Sequence, residues 1–283
     1  MYVIHRRTSL TPRIAKFEVE APLIAKKRKP GNFVIVRPTI TGERIPLTIV
    51  ESNIDRGTIT LIIQAIGKTT QMINAMKEGD VFSDVVGPLG EPTPIENYGN
   101  VLCIGGGVGT AVIYPMAKAL KAAGNRVDSI IGAQNSEAVI LEEEMKAFSD
   151  NLIITTDDGS RGIKGFVTHV LGEILEREES IHSVYAAGPL PMMRAVADLT
   201  RKPGIRTMVS LNPIMMDGTG MCGACRVSVG GVLKFACVDG PEFDAHSINF
   251  DELIVRNNTY ANQEKKALDV QKQDRKCQAV RVL

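Results

Sequence analysis

The sequence has 283 residues, of which 44% are hydrophobic, and its 33 Lys and Arg side chains balance 32 Asp and Glu. This length allows two or three domains, and a net charge of +1 gives no electrostatic reason to expect nucleic-acid binding. No apolar run approaches the roughly 18 residues that a membrane span needs, so we expect no membrane association. Met1–Arg7 lacks the apolar core of a signal peptide. Five cysteines, three of them in one ligand-like group, favour a reducing cytoplasm over a disulfide framework.

Residues 1–97 carry short alternating or β-branched runs that are separated by Pro and Gly. Such a pattern is typical of an antiparallel barrel or sandwich, and Thr69–Met76 is predicted as one short helix. The predicted strands are Ile14–Val19, Asn32–Arg37, Ile45–Val50, Thr58–Ile63 and Val81–Val86.

Residues 98–210 alternate between apolar strands and helical stretches, which predicts an α/β domain with a parallel sheet. The predicted strands are Val101–Ile104, Val127–Gly132, Leu152–Thr156 and Val184–Ala187. The predicted helices are Thr110–Ala123, Glu137–Phe148, Phe166–Arg177 and Pro191–Thr200.

The last two segments are a Gly- and Cys-rich region, 211–250, and a polar tail, 251–283, with a helix expected around Gln263–Gln271. In the first of them, Asp217, Cys222, Cys225 and Cys237 have the spacing D-x4-C-x2-C-x11-C. Plant-type [2Fe–2S] proteins use C-x4-C-x2-C with a distant fourth cysteine, so an aspartate stands here at the first ligand position. The spacing therefore predicts a small iron–sulfur domain with these four residues as ligands.

Two alternatives to that ligand set stay open. A C-x2-C pair with one more cysteine could hold structural zinc, although no fourth Cys or His lies at zinc-ribbon spacing. Asp217 could also be an ordinary turn residue, because Asp-Gly is a strong turn signal.

Three loops that follow predicted strands are candidates for binding a nucleotide. The first candidate is the loop between the first predicted strand and the helix that follows it. It could seat a pyrophosphate on the helix N-terminus, and it contains Gly105, Gly106, Gly107, Gly109 and Thr110. The next candidate, Gly188, Pro189 and Met192, follows the fourth strand, and ligands bind beyond the carboxyl ends of such strands. In the third, Asp157 and Asp158 could contact a ribose. Each loop could instead be a tight turn or a helix start.

Two pieces of the predicted barrel have side chains that suit a cofactor with a ring and a phosphate. One is Arg44, Ile45, Pro46, Leu47 and Thr48, where a strand hydroxyl could reach a ring nitrogen. The other is Gly67, Lys68, Thr69 and Thr70, a Gly-Thr loop that could meet phosphate.

In this order, the motifs resemble the ferredoxin–NADP reductase superfamily, in which a flavin-binding antiparallel β-barrel precedes a pyridine-nucleotide α/β domain. Arg44-x-Pro46-x-Thr48 is similar to its flavin motif, and Gly67–Thr70 is similar to its flavin-phosphate loop. With the segment Leu211–Arg226, the whole chain resembles the small subunits of NADH-dependent ferredoxin:NADP oxidoreductases. The electron-transfer subunits of dihydroorotate dehydrogenase are a sibling family, normally with four cysteine ligands.

The resemblance implies FAD, NAD(H) and a [2Fe–2S] cluster as cofactors. It places Thr48 near the flavin N5, with Ile45, Pro46 and Leu47 beside the ring, and Thr69 and Thr70 at a phosphate. It places Ile62, Ile63 and Gln64 on the strand that contacts the flavin from its other side. It leaves Cys103 in a buried strand and Cys277 as a free thiol in the tail.

The implied activity is hydride transfer between NAD(H) and FAD and single-electron transfer between FAD and the cluster. In the resembled family this subunit forms a heterodimer with a larger flavin and iron–sulfur subunit. That partner uses NADPH and ferredoxin and splits electron pairs by bifurcation. A dihydroorotate-linked subunit and a non-catalytic redox sensor are the alternatives. NADP stays possible as well, because Arg161 could meet a 2′-phosphate.

Overall fold

The structure is a computed structural model that describes residues 1–177 and 180–280, with side chains up to residue 270. In these ranges the strands are β1 Tyr2–Thr11, β2 Ile14–Glu20, β3 Phe33–Arg37, β4 Ile45–Thr48, β5 Glu51–Asn53, β6 Thr58–Gln64, β7 Val81–Phe82, β8 Asp84–Leu89, β9 Asn100–Gly106, β10 Arg126–Ala133, β11 Asn151–Thr156, β12 Ile163–Lys164, β13 Ser183–Ala187, β14 Arg206–Ser210, β15 Arg226–Val229, β16 Val232–Phe235 and β17 Glu242–Asp244. The α-helices are α1 Pro22–Lys27, α2 Lys68–Ala75, α3 Gly109–Ala122, α4 Glu142–Lys146, α5 Val167–Glu176, α6 Leu190–Arg201, α7 Phe250–Asn257 and α8 Ala261–Val280.

The amino-terminal part is an antiparallel barrel made of two sheets. One sheet has the order β5-β6-β2-β1-β7 and the other β4-β3-β8. Their inner faces enclose an apolar core that includes Phe17, Val34, Leu61 and Phe82. β4 pairs with β3 so that Thr48 lies opposite Phe33 and Ile45 lies opposite Val36. The core-facing strand β3 thus holds β4 at the edge of the barrel.

The second part is a sheet of the order β12-β11-β10-β9-β13-β14-β17, parallel except for its last strand. β9 lies at its centre, and the chain runs from β9 outward through β10 and β11 before it returns to β13 on the other side of β9. This reversal is a topological switch point, where open α/β sheets bind ligands.

The cysteine-rich segment contributes the hairpin β15–β16 and then the strand β17, which pairs with β14 and so extends the nucleotide-domain sheet. Its buried residues Cys225, Val227 and Cys237 belong to the same apolar cluster as Ile104 and Val184. The segment is therefore packed onto the α/β domain. Within the described part of the chain, no helix combines the length and the apolar character that a bilayer crossing requires.

Three predicted elements differ from the observed ones. The helix predicted over Glu137–Phe148 is broken into a 3₁₀ turn, Ser136–Ala138, and the short α4, because Leu141 has a φ of 58°. The strand predicted over Val81–Val86 is split into β7 and β8, which pair with different sheets. The predicted tail helix is α8, which is longer than expected at both ends, and the side chain of Cys277 lies outside the described residues.

Candidate functional site

A cleft of about 1030 Å³ opens between the barrel and the nucleotide domain. Its volume lies at the upper end of the range for small-molecule sites, which suits a dinucleotide-sized ligand. All of the residues expected to contact a flavin lie on its wall: Arg44, Ile45, Pro46, Leu47, Thr48, Ile62, Ile63, Gln64, Gly67, Thr69 and Thr70. The structure therefore brings the two barrel motifs, which are about twenty residues apart in sequence, to one cavity.

The β4 part of this wall is apolar but only half-buried. Residues Ile45–Thr48 all have intermediate exposure, whereas the neighbouring strand β3 is almost fully buried. Apolar side chains at a barrel edge that face an open cleft are suited to pack against a flat ring. This strand is the part of the cleft that best fits an isoalloxazine ring.

The start of α2, where the sequence predicts a phosphate loop, also lines the cleft. The backbone N–H groups of Ile66 and Gly67 donate to the Thr70 hydroxyl at 3.0 and 2.9 Å, so Thr70 holds the loop in shape. The Thr69 hydroxyl donates to the carboxylate of Glu43. The first N–H groups of a helix have no intrahelical acceptor and favour an anion. The local chemistry at α2 therefore fits a phosphate.

Arg44 also lies at the cleft, next to a carboxylate of the barrel. Its guanidinium is 3.7 Å from the carboxylate of Asp84, which also pairs with Arg37. Because Arg44 is partly exposed and only loosely paired, its charge is available to the cleft.

The two glycine loops of the nucleotide domain meet at the switch point. Gly105, the second-last residue of β9, lies opposite Ala187, which ends β13. A Cβ on Gly109 would lie 2.2 Å from the Ala187 carbonyl oxygen, so only glycine lets α3 begin this close to β13. Met192 packs between the loops, and a Cβ on Gly106 would come within 2.4 Å of its sulfur. The carboxyl ends of the two central strands therefore form one continuous seat.

Two buried hydroxyls in this region have no hydrogen-bond partner within the described residues. They belong to Thr110, in the first turn of α3, and to Thr155, at the end of β11. A buried polar group without a partner costs free energy, so such groups mark places where a polar ligand fits. Both lie at the edge of the sheet where the nucleotide loops are.

The aspartates at the end of β11 differ in their surroundings. The carboxylate of Asp158 accepts bonds from the backbone N–H and the hydroxyl of Ser160, at 2.9 and 2.6 Å, and these bonds lower its pKa. Asp158 therefore caps a turn, while Asp157 is exposed. The Arg161 guanidinium donates to both carboxylate oxygens of Glu142 and is not free in this arrangement.

The cysteine-rich loop brings two of its four predicted ligands together. The sulfur atoms of Cys225 and Cys237 are 3.1 Å apart and buried, and the Cys237 N–H points at the Cys225 sulfur at 3.4 Å. Burial is the largest cause that raises the pKa of Cys237, to about 12, and the neighbouring Cys225 thiol is the second cause. Metal binding deprotonates such thiols outright, so the pair fits a metal or iron–sulfur centre better than it fits a charged thiolate alone.

The other two predicted ligands lie on the same loop but are not assembled with that pair. Cys222 is exposed, and the carboxylate of Asp217 accepts bonds from the backbone N–H groups of Thr219 and Cys222, at 2.9 and 2.8 Å. Among the residues whose side chains the structure describes, no group of three or more His, Cys, Asp or Glu is arranged as a metal site. Ligation by Asp217 therefore stays a prediction.

The cysteine-rich loop also touches the cleft-forming part of the barrel. Gly218 has a φ of 80°, and a Cβ there would lie 2.9 Å from the Cδ1 atom of Ile35. Ile35 pairs with Pro46 of the cleft wall, and Met215 and Met216, just before the loop, line the cleft themselves. The cluster loop and the cleft therefore share one wall.

Sequence reasoning missed three groups of cleft residues that the fold brings together. They are Val108, Ala111 and Val112, in and just before α3; Ser210–Met216, from the end of β14 to the cysteine-rich loop; and Tyr260, Gln263, Glu264 and Ala267, in and just before α8. The second group contains part of the Leu211–Arg226 signature, which was a usable signal. The other two groups are set by tertiary packing.

Two protein-family descriptions match this chain. Residues 103–198 match an oxidoreductase NAD-binding domain, and residues 212–249 match the iron–sulfur cluster binding domain of dihydroorotate dehydrogenase B. A curated relative from Thermotoga maritima, a homolog of the electron transfer subunit of dihydroorotate dehydrogenase B (NAD(+)), is 47% identical over 93% of this chain and 92% of its own length. The chain belongs to this family of electron-transfer subunits.

Two further comparisons describe the neighbourhood of this electron-transfer subunit. The dihydroorotate dehydrogenase B (NAD(+)) electron transfer subunit of Bacillus caldolyticus is 36% identical over 84% of this chain and 94% of the relative. A chain in the solved structure of an NADH-dependent reduced ferredoxin-NADP oxidoreductase, studied for flavin-based electron bifurcation, is 45% identical. It superimposes with a TM-score of 0.90 and covers 95% of this chain and 97% of that one.

These findings confirm the fold class and the oxidoreductase role expected from the sequence. They support the expected cofactor set of NAD(H), FAD and an iron–sulfur cluster. The chain is thus an electron-transfer subunit with an NAD-binding domain and an iron–sulfur domain, and its relatives are named as subunits of larger enzymes.

Proposed function

We propose that this electron-transfer subunit passes electrons between NAD(H), FAD and a [2Fe–2S] cluster in a heterodimeric, electron-bifurcating NADH-dependent ferredoxin:NADP oxidoreductase. The observation that carries the proposal is the shared wall: residues before the cysteine-rich loop line the cleft, and Gly218 packs against Ile35 behind it. A flavin bound there would exchange hydride with a nicotinamide and single electrons with a cluster.

In this proposal, the residues of this chain bind the cofactors and orient them. Ile45–Thr48 and Ile62–Gln64 form the two sides of the ring site, and the start of α2 holds phosphate. The loops at Gly105–Thr110 and Gly188–Met192 seat the nicotinamide dinucleotide, and Val108 of the first loop already lies on the cleft. Asp217, Cys222, Cys225 and Cys237 hold the cluster.

We propose NAD(H) rather than NADP(H) because the Arg161 guanidinium is already hydrogen-bonded to Glu142. An arginine that reads a 2′-phosphate has to present a free guanidinium, and Glu142 holds this one through two hydrogen bonds.

We further propose that the partner is a larger flavin and iron–sulfur subunit that uses NADPH and ferredoxin. Support comes from the 45% identical chain of the bifurcating enzyme and from the aspartate at position 217, where the sibling family normally has cysteine. A dihydroorotate-oxidising partner is the second candidate, because curated relatives bear that name.

The test is to purify the tagged full chain from its native cells with its partner and to assay the complex without oxygen. NADPH-driven reduction of ferredoxin that requires NAD⁺ supports the bifurcating assignment. NAD⁺ reduction driven by dihydroorotate, with no ferredoxin dependence, would contradict that assignment and favour the second candidate.

A further inference from the structure

Helix α8, in the C-terminal segment of the chain, reaches the barrel. It follows α7 after a short turn and packs against α2, the helix that begins at the predicted phosphate loop. Tyr260, Gln263, Glu264 and Ala267 line the same cleft as the flavin motifs. The tail of the chain therefore forms one wall of a cavity whose other walls come from the barrel and the nucleotide domain.

The position of α8 has no explanation in core packing. Its first ten residues contain few large apolar side chains, and most of these ten residues are exposed. Helices that are polar all round are found where they bridge between domains. Some other contact has to account for its place against the cleft.

The cleft-lining positions fall on a single face of the helix. Residues 260, 263, 264 and 267 follow the spacing i, i+3, i+4, i+7, which aligns side chains in one stripe. The side chains of Tyr260, Gln263 and Glu264 make no hydrogen bond or ion pair within the described residues. An aromatic ring, an amide and a carboxylate thus face a cavity without partners.

We propose that this stripe, Tyr260, Gln263, Glu264 and Ala267, is the outer wall of the FAD site and binds the adenosine half of the cofactor. The inference rests on the proposed function, which places FAD in the cleft. α8 packs on α2, the helix that begins at the proposed phosphate site, and this packing puts the stripe beside that part of the cleft. The Tyr260 ring offers a stacking surface for a purine, and Gln263 and Glu264 offer groups for ribose hydroxyls.

The experiment compares FAD with FMN, which has the ring and phosphate but no adenosine. The protein is freed of flavin and then loaded with either FAD or FMN. The rate at which the bound cofactor leaves the protein is followed by the recovery of flavin fluorescence. The test variant carries Y260A, Q263A and E264Q. The matched control carries N262A, K265A and K266A, exposed positions of the same helix that do not line the cleft.

The test variant should release FAD about tenfold faster or more, with little change for FMN, and the control should match the wild type for both. Unchanged FAD release from the test variant, with wild-type protein that binds FAD, would overturn this inference alone. If the test variant released FAD and FMN faster by the same factor, this would also overturn the inference, because the stripe would then not act on adenosine. Wild-type protein that binds neither flavin would contradict the proposed function itself. Circular dichroism checks that both variants are folded.

Discussion

The hydroxyl of Tyr114 donates a 2.7 Å hydrogen bond to the carboxylate of Glu51, and the bond crosses from the nucleotide domain to the barrel. Lys118, one turn further along α3, donates to the same carboxylate at 3.1 Å. The contact therefore ties α3, which begins at the glycine loop, to β5, which follows β4 in the barrel. It joins the two domains at a point outside the cleft.

Tyr114→Phe should lower the free energy of unfolding by about 1 kcal/mol at neutral pH, because it removes one hydrogen bond to a charged acceptor. Burial raises the pKa of Glu51, but hydrogen bonds from Tyr114 and Lys118 lower it by more, and the net direction is down. The stabilisation is therefore present above the ordinary glutamate pKa of 4.5 and is lost as the pH falls below it.

Urea unfolding of wild type and variant at pH 7 and near pH 4 measures this loss, with Tyr2→Phe as a control in which no described hydrogen bond is removed. A difference of the same size at both pH values would show that the bond to the ionised carboxylate is not its source.

Glu242 makes a second contact between domains, and its pKa is shifted in the opposite direction from that of Glu51. The carboxyl group accepts a bond from the Thr93 hydroxyl at 2.8 Å, and its other oxygen is buried without a hydrogen-bond partner within the described residues. Burial raises the pKa of Glu242 to about 7.

Because the native pKa is above the unfolded one, the folded state holds this proton more tightly. The stability that it contributes is complete below about pH 4.5 and is lost as the pH rises through about 7. Glu242→Gln, which stays neutral, should therefore be more stable than the wild type at pH 8, by up to about 3 kcal/mol, and similar to it at pH 5. Thermal unfolding across this pH range measures the effect, and parallel curves for the two proteins would contradict it.

The proposed nucleotide seat requires the close approach of α3 to β13. Gly109→Ala places a methyl group 2.2 Å from the Ala187 carbonyl oxygen, so α3 has to move. We expect the dissociation constant for NADH to rise about tenfold or more, while bound flavin is retained. Gly172→Ala in α5 is the matched control, because its Cβ would meet nothing within 4 Å. Unaltered NADH affinity in Gly109→Ala, measured by equilibrium titration, would show that the loop does not seat the nucleotide.

Local patterns predicted those parts of the molecule whose side chains alternate or whose loops need glycine. The parallel strands around Gly105 and the flavin-motif strand from Ile45 were predicted on that basis. Strand β1 was not, because only Ile4 of its ten residues is buried and no apolar alternation marks it. The break at Leu141 was missed because Glu142–Lys146 has good helix formers, whereas burial of Ile140 and Leu141 sets the backbone there.

In the candidate site, too, the local motifs could be predicted from the sequence, whereas the way they come together could not. The motifs at Arg44–Thr48 and Gly67–Thr70 could be recognised one at a time, but only the fold shows that they share a cavity with α8. Tyr260 immediately precedes a polar helix with no periodic apolar signal, so its place at the cleft depends on long-range packing. For Asp217, the spacing indicates a ligand, while the structure adds two N–H donors that also explain a carboxylate at this position.

Asp217→Asn separates these two roles, because an amide oxygen still accepts bonds from the N–H groups of Thr219 and Cys222 but has no ligand charge. If Asp217 ligates iron, the variant should lose most of its cluster, and Asp217→Cys should keep a cluster with an altered electron paramagnetic resonance signal. Iron and sulfide analysis with that spectrum provides the measurement. Cluster content and signal that are unchanged in both variants would assign Asp217 to loop structure alone.

In the proposed function, one chain couples a two-electron nucleotide site to a one-electron cluster through a flavin in the cleft. The most direct measurement is an anaerobic titration of the purified chain with NADH, followed by visible absorbance and by electron paramagnetic resonance. We expect NADH to bleach the flavin bands and the signal of a reduced [2Fe–2S] cluster then to appear. A protein without flavin or cluster absorbance, or one whose bound flavin stays oxidised in excess NADH, would contradict it.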